Sequence, residues 1–173
     1  MKFLVFLLLP VFSFGQVKLD TISILNGEVK ILAPKKLSSM TDEMWTAKYQ
    51  KRPRPIMVLT DQDGEVNLIA SLTQQPATEN QIGAFKDLQI QQLKAQRPDL
   101  VLLSEGVMTV NAKKIGYIKF LTQAVDQKVF NYYFFGIVEG KVFLFSFNCI
   151  ENLQKKWEGT ADIIMASLTI GKS

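Results

Sequence analysis

The chemistry open to this chain is limited first by two residue types: it has one cysteine, Cys149, and no histidine. Without histidine the commonest general base and the commonest transition-metal ligand are missing. Ser-His-Asp and Cys-His catalysis and His-based zinc sites are therefore excluded within the chain. Cys149 ends an alternating aromatic stretch, Phe145-Ser146-Phe147-Asn148-Cys149, and reads as a small apolar core residue rather than an activated thiol. A lone cysteine forms no intramolecular disulfide, so the fold stands on packing. Asp, Glu, Ser, Thr, Lys and Tyr remain as possible catalysts, but no carboxylate pair is marked by spacing and no Gly-rich phosphate loop is present. Asp61-Gln62-Asp63-Gly64-Glu65 resembles the start of a calcium loop. The acidic ligand expected six residues after Gly64 is Ala70, so a β-turn accounts for it better. Neither metal nor cofactor is expected.

Binding is better represented than catalysis. Trp45, Tyr49, Arg52 and Arg54 flank a Pro-rich stretch and could form a cation–aromatic contact surface. The competing reading has Trp45 packing a short helix onto a sheet, with the basic residues solvated. Lys119 lies in an otherwise apolar or aromatic run, Ile115–Leu121. A buried lysine would be costly and hence informative; the alternative is a sheet face only partly covered. Tyr117, Tyr132 and Tyr133 form either a polar-tipped aromatic patch or ordinary packing.

The elements that must position these residues follow from periodicity. Thr21–Ile24 and Val29–Leu32 flank Asn26-Gly27, which predicts a hairpin near 20–33. Thr41-Asp42-Glu43 is an N-cap with first-turn acids and predicts a helix over 41–50. Pro53 and Pro55 forbid its continuation, making Lys51–Pro55 an extended linker. Strands are expected at 56–60 and 65–73 around a turn at 61–64. A helix then runs from Pro76 to about Gln96, with Ile82, Phe85, Gln89 and Leu93 on one face and Leu88 widening it. Four strands follow, 100–110, 113–124, 128–138 and 141–150, joined so tightly that they are antiparallel neighbours. In 129–138 both alternating sets are largely apolar, the mark of a central strand covered on both sides. A last helix, 151–168, aligns Leu153, Trp157, Ala161, Ile164 and Leu168. The fold class is α+β, an antiparallel sheet with helices packed on its faces.

That order of elements is similar to the PsbP–DcrB superfamily, which includes extrinsic photosystem II subunits, a Ran-binding nuclear transport factor and bacterial envelope proteins. The likeness is carried by Val66-Asn67-Leu68-Ile69-Ala70, the polar helix 79–96, Gly106–Gly116, Asn131-Tyr132-Tyr133-Phe134-Phe135, Phe145–Cys149 and the Trp157 helix. It implies an αβα sandwich over roughly residues 25–170, and modules that bind or assemble rather than catalyse. The metal-associated role of the photosystem members leans on histidine and does not transfer to this chain.

The N-terminus predicts export. Met1-Lys2 is a minimal basic start, Phe3–Phe14 is apolar apart from Pro10 and Ser13, and Ser13-Phe14-Gly15 places small residues before a cut at Gln16. The run is short of the roughly 20 residues that span a bilayer, so residues 1–15 read as a signal peptide and 16–173 as one domain without a transmembrane segment. Net charge is +4, spread along the chain with its densest basic cluster at Lys48, Lys51, Arg52 and Arg54; a nucleic-acid partner is not indicated. The expected function is an exported, non-enzymatic periplasmic or secreted module for a protein partner or small ligand. The alternatives are a hydrolase-type enzyme using carboxylate, Lys or Tyr groups, and a peripheral membrane protein using the 48–54 stretch on anionic lipid.

Overall fold

The period-two alternation of the sequence resolves into two antiparallel sheets in the computed structural model, which describes residues 17–50 and 52–171. Residues 1–16, Lys51 and 172–173 lie outside the described residues, so the expected signal peptide at 1–15 does too. β1 (Leu19–Ile24) and β2 (Val29–Pro34) form the expected hairpin. Its loop is two residues longer than a two-residue Asn-Gly turn: it spans Leu25 to Glu28, and Leu25, Asn26 and Gly27 take positive φ. This hairpin does not join the main sheet, but pairs through β2 with β10 (Thr169–Ile170) at the far end of the chain.

The main sheet has seven strands. β3 (Ser38–Ser39), β4 (Met57–Thr60) and β5 (Val66–Pro76) form one side, and β6 (Val101–Val110), β7 (Lys113–Gln123), β8 (Lys128–Val138) and β9 (Lys141–Ile150) form the meander. The order is β3-β4-β5-β9-β8-β7-β6, antiparallel throughout, with β9 at the centre. Asn111-Ala112 and Glu139-Gly140 turn with positive φ at both positions, the backbone that two-residue hairpins need. Among the described residues three α-helices complete the fold: α1 (Asp42–Tyr49), α2 (Ile82–Gln96) and α3 (Glu151–Ala166).

The layers are αβα, as expected. On one face Phe143, Phe145, Phe147 and Cys149 of β9 and Phe130, Tyr132 and Phe134 of β8 are fully enclosed by α3 and β2. Trp157, Ala161, Ile164 and Leu168 supply the helix stripe. Cys149 is part of this core, and burial pushes its thiol up to about 12.

The opposite face is covered unevenly. α2 packs Ile82 and Phe85 over Ile118, Phe120, Phe135 and Val142. Ile90 and Leu93 continue its inner face, whereas Leu88 points to solvent; the added width read from sequence is absent because α2 lies along one flank of the sheet. α1 plugs the other flank, burying Trp45 against Met40 and Val58. Between the helices, β8 and β9 are only half covered. The expectation of cover on both sides thus holds at the Phe135–Val142 end and fails at the Asn131–Asn148 end.

Candidate functional site

Strand register builds the floor of this opening. On the half-covered face, Asn67 of β5 lies opposite Asn148 of β9, which lies opposite Asn131 of β8. The next row is Ile69, Ser146 and Tyr133, followed by Ser71 and Leu144. Every neighbour of Asn148 along β9, Phe147 and Cys149, points into the core behind it. Three aligned asparagines in a seven-stranded sheet are unlike the apolar side chains that strands favour.

Their amides are not all satisfied. Asn67 is saturated: its Oδ1 accepts from Thr60 Oγ1 at 2.7 Å, and its Nδ2 donates to Gly64 O at 3.1 Å and to Asn148 Oδ1 at 2.9 Å. Asn131 Nδ2 donates to Thr122 Oγ1 at 3.1 Å and Val129 O at 3.0 Å. Asn148 Nδ2 and Asn131 Oδ1 have no protein partner among the described residues. The two groups face the opening as one free donor and one free acceptor.

The walls follow from local sequence. Thr41 caps α1, accepting from Met44 N at 3.1 Å, and Gln50 ends it at φ 55°. Trp45 anchors the helix: its ring stacks on Tyr49 at 4.3 Å and its Nε1 donates to Arg52 O at 3.3 Å. Lys48 Nζ donates to the Gly64 carbonyl, tying α1 to the β4–β5 turn. The Asp61 carboxylate accepts from Glu65 N at 2.8 Å and Val66 N at 3.1 Å, so this loop is a turn held by its first aspartate. Facing α1 across the opening is Arg97, just past α2, with the β7–β8 turn. The result is an open cleft of about 780 Å³, lined by Trp45, Lys48, Tyr49, Arg52, Arg97 and Tyr133 above the asparagine row.

Arg97 is fixed by a bidentate pair with Asp99, at 3.0 and 2.9 Å, and by the Gln123 carbonyl. Arg97 and the Gln123 amide together hold the Asp99 carboxyl down to about 2, from an ordinary 3.8. A depressed carboxyl contributes stability that is complete above its unfolded value and fades as pH falls through about 2. A carbon-detected titration is expected to find the Asp99 midpoint near 2, and Arg97→Gln to return it toward 3.8. A wild-type midpoint already at 3.8 would mean that the pair is not formed in solution.

The candidates read from sequence separate into two groups. Trp45, Tyr49 and Arg52 line the cleft. Arg54 does not: its guanidinium donates to Met40 O and Asp42 and lies 5.9 Å from the Trp45 ring centroid. Lys119 is on the other face of the sheet. Its side chain is 12% exposed and paired with Glu158 at 3.1 Å and Asp162 at 2.8 Å of α3, above the Tyr132 ring. Here two carboxylates offset the burial of one ammonium, which ties β7 to α3. Sequence reasoning did not find Asn67, Asn131, Ser146, Asn148 or Arg97.

No protein-family model matches the chain, and no curated protein matches it. Solved structures do. The cyanobacterial PsbP of Synechocystis sp. PCC 6803, CyanoP, superposes with a TM-score of 0.66 at 13% identity, over 94% of this chain and 98% of that one. LpqN of Mycobacterium tuberculosis, described as involved in cell envelope biogenesis, gives 0.60 at 9% identity over 91% and 92%. The Saccharomyces cerevisiae Ran-binding protein Mog1p gives 0.58 at 9% identity over 91% and 97%. At these identities the likeness is one of architecture.

Proposed function

We propose that this chain, which has the PsbP/DcrB-like fold, is an exported, non-catalytic binding module that holds a small ligand or a segment of a partner in the cleft over Asn67, Asn131 and Asn148. One observation carries the proposal: the centre of the sheet is left uncovered on one face, and the amides exposed there are only partly paired. Unpaired donors and acceptors on a rigid floor, beside aromatic walls, are what a ligand site offers. The charged groups support holding over chemistry, since Lys48 is spent on a carbonyl and Arg97 on a carboxylate. Mog1p, a Ran-binding protein, and LpqN, of envelope biogenesis, are compatible neighbours for such a module. Export rests on the signal-like residues 1–15.

Screening small polar fragments by amide chemical shifts tests the site. Hits are expected to cluster on Asn131–Tyr133 and Ser146–Asn148. Ser146→Trp should abolish them by filling the cleft, with little change in melting temperature because Ser146 is only half buried. Fragments that scatter over the surface, or collect at the α3 face, would dismiss the cleft.

A further inference from the structure

We propose, resting on the cleft being the binding site, that its ligand carries an oxyanion, a carboxylate or phosphate, seated between Arg52 and Arg97 above Tyr133 and Ser146. Among the described residues three cations line the cleft, and they are not equivalent. Lys48 is committed to the Gly64 carbonyl. Arg97 spends Nε and Nη2 on Asp99 and Gln123, which leaves Nη1. Arg52 is held by its backbone, whose carbonyl accepts from Trp45 and whose amide donates to Tyr49 O. Its guanidinium meets no acceptor among the described residues, so a full charge with a planar donor fork is presented at the cleft wall.

The floor below is donor-rich. Asn148 Nδ2 is free, Ser146 supplies a hydroxyl, and the Tyr133 hydroxyl stays protonated because burial raises its pKa by more than Ser146, Arg97 and Arg52 lower it. Against these donors the asparagine row offers one free acceptor, Asn131 Oδ1, while the two hydroxyls can donate as well as accept. A neutral ligand would leave the surplus donors to water, whereas an oxyanion takes several at once as charge-assisted bonds. The cleft's own acids do not compete for this end. Asp63 and Glu65 sit at the β4–β5 turn, and Glu65 lies two rows from the Ile69–Ser146–Tyr133 row, about 13 Å along β5.

The test titrates residues 16–173 with inorganic phosphate, glucuronate and glucose, reading the amide shifts of Tyr133, Ser146 and Asn148. Saturable shifts are expected from glucuronate, from phosphate or from both, and the stronger arm identifies the oxyanion. Glucose should be silent. Arg52→Gln should weaken binding roughly tenfold or more, the ordinary size of a charge-assisted pair. Arg54→Gln, outside the cleft, should leave it unchanged. Arg52 lies on an exposed linker, so its substitution leaves the core untouched and far-UV circular dichroism should match wild type. Equal response to glucose and glucuronate, or an Arg52→Gln variant that binds as well as wild type, would overturn the oxyanion and leave the cleft in place. Silence from all three probes overturns it too. If the polar fragments of the preceding section also fail at these residues, the binding module falls with it.

Discussion

Trp157→Ala is expected to cost about 3–5 kcal/mol, the usual range for deleting a buried tryptophan, and to lower the melting temperature by roughly 10 °C. The side chain is 1% exposed. Its ring lies 5.7 Å from Phe147 of β9, and the Lys36 ammonium sits 4.4 Å from its centroid. It stands where α3, the main sheet and β2 meet, in the largest core cluster. Three elements that meet at one ring cannot all close on the void it leaves, so little of the cavity term is recovered. The chain has no disulfide to fall back on. Ile163→Ala, on the same helix but 47% exposed, should stay within about 0.5 kcal/mol. Urea and thermal unfolding followed by far-UV circular dichroism check both; a cost under about 1 kcal/mol for Trp157→Ala would mean that α3 is not docked as described. The consequence reaches the cleft, because Phe147 and Cys149 alternate with Ser146 and Asn148 along one strand.

How much of this was legible depends on the range of the interaction that decides it. Thr41, Pro53 and Pro55 bound α1 through local backbone chemistry, and the N-cap bond to Met44 forms. The meander was equally readable, since short joints leave only antiparallel neighbours and Glu139-Gly140 turns with the needed φ. The pairing of β2 with β10 was not legible: it joins residues near Lys30 and Thr169, and two-residue strands carry no period. β5 beside β9 is likewise a long-range choice.

The cleft lies between these cases. In β8 the second alternating set reads Val129, Tyr133, Phe135, Ile137, and the position it skips is Asn131. Taken with Asn67 and the Ser146, Asn148 pair of β9, that gap marks polar residues on one face of three strands, yet only register places them in one row. Coverage is a matter of size. Seven strands span roughly 29 Å at about 4.8 Å per spacing, and two helices of about 10 Å cannot roof them. Hydrophobic pattern says that a strand is central; it does not say how far along the strand the roof extends.

Gly116→Val tests whether the covered end of that face sets the open one. Gly116 is buried in β7, directly opposite Phe135 of β8. A Cβ at this position would meet the Phe135 ring, with Cζ at 2.6 Å, and Ile82 Cγ2 at 3.1 Å. Neither neighbour has room to give: Phe135 is fully buried and edge-on to Phe85 of α2 at 4.9 Å, and Ile82 begins that helix. Even alanine is too large, and valine adds two further methyl groups, so α2 must lift. Overpacking of this kind costs about 1–3 kcal/mol, occasionally more, and the lack of a yielding neighbour puts Gly116→Val at the upper end. Because Arg97 directly follows α2 as its C-cap, lifting the helix should also move one cleft wall and weaken ligand-induced shifts at Tyr133. Gly83→Ala is the control, since a Cβ there meets nothing within 4 Å and should be neutral or slightly stabilising. Phe135→Leu in the Gly116→Val background should recover part of the loss, because the smaller side chain makes room for the added methyls. If the double variant is no more stable than the sum of the two single losses predicts, the glycine is not there to accommodate that ring, and the account of how α2 is seated is wrong.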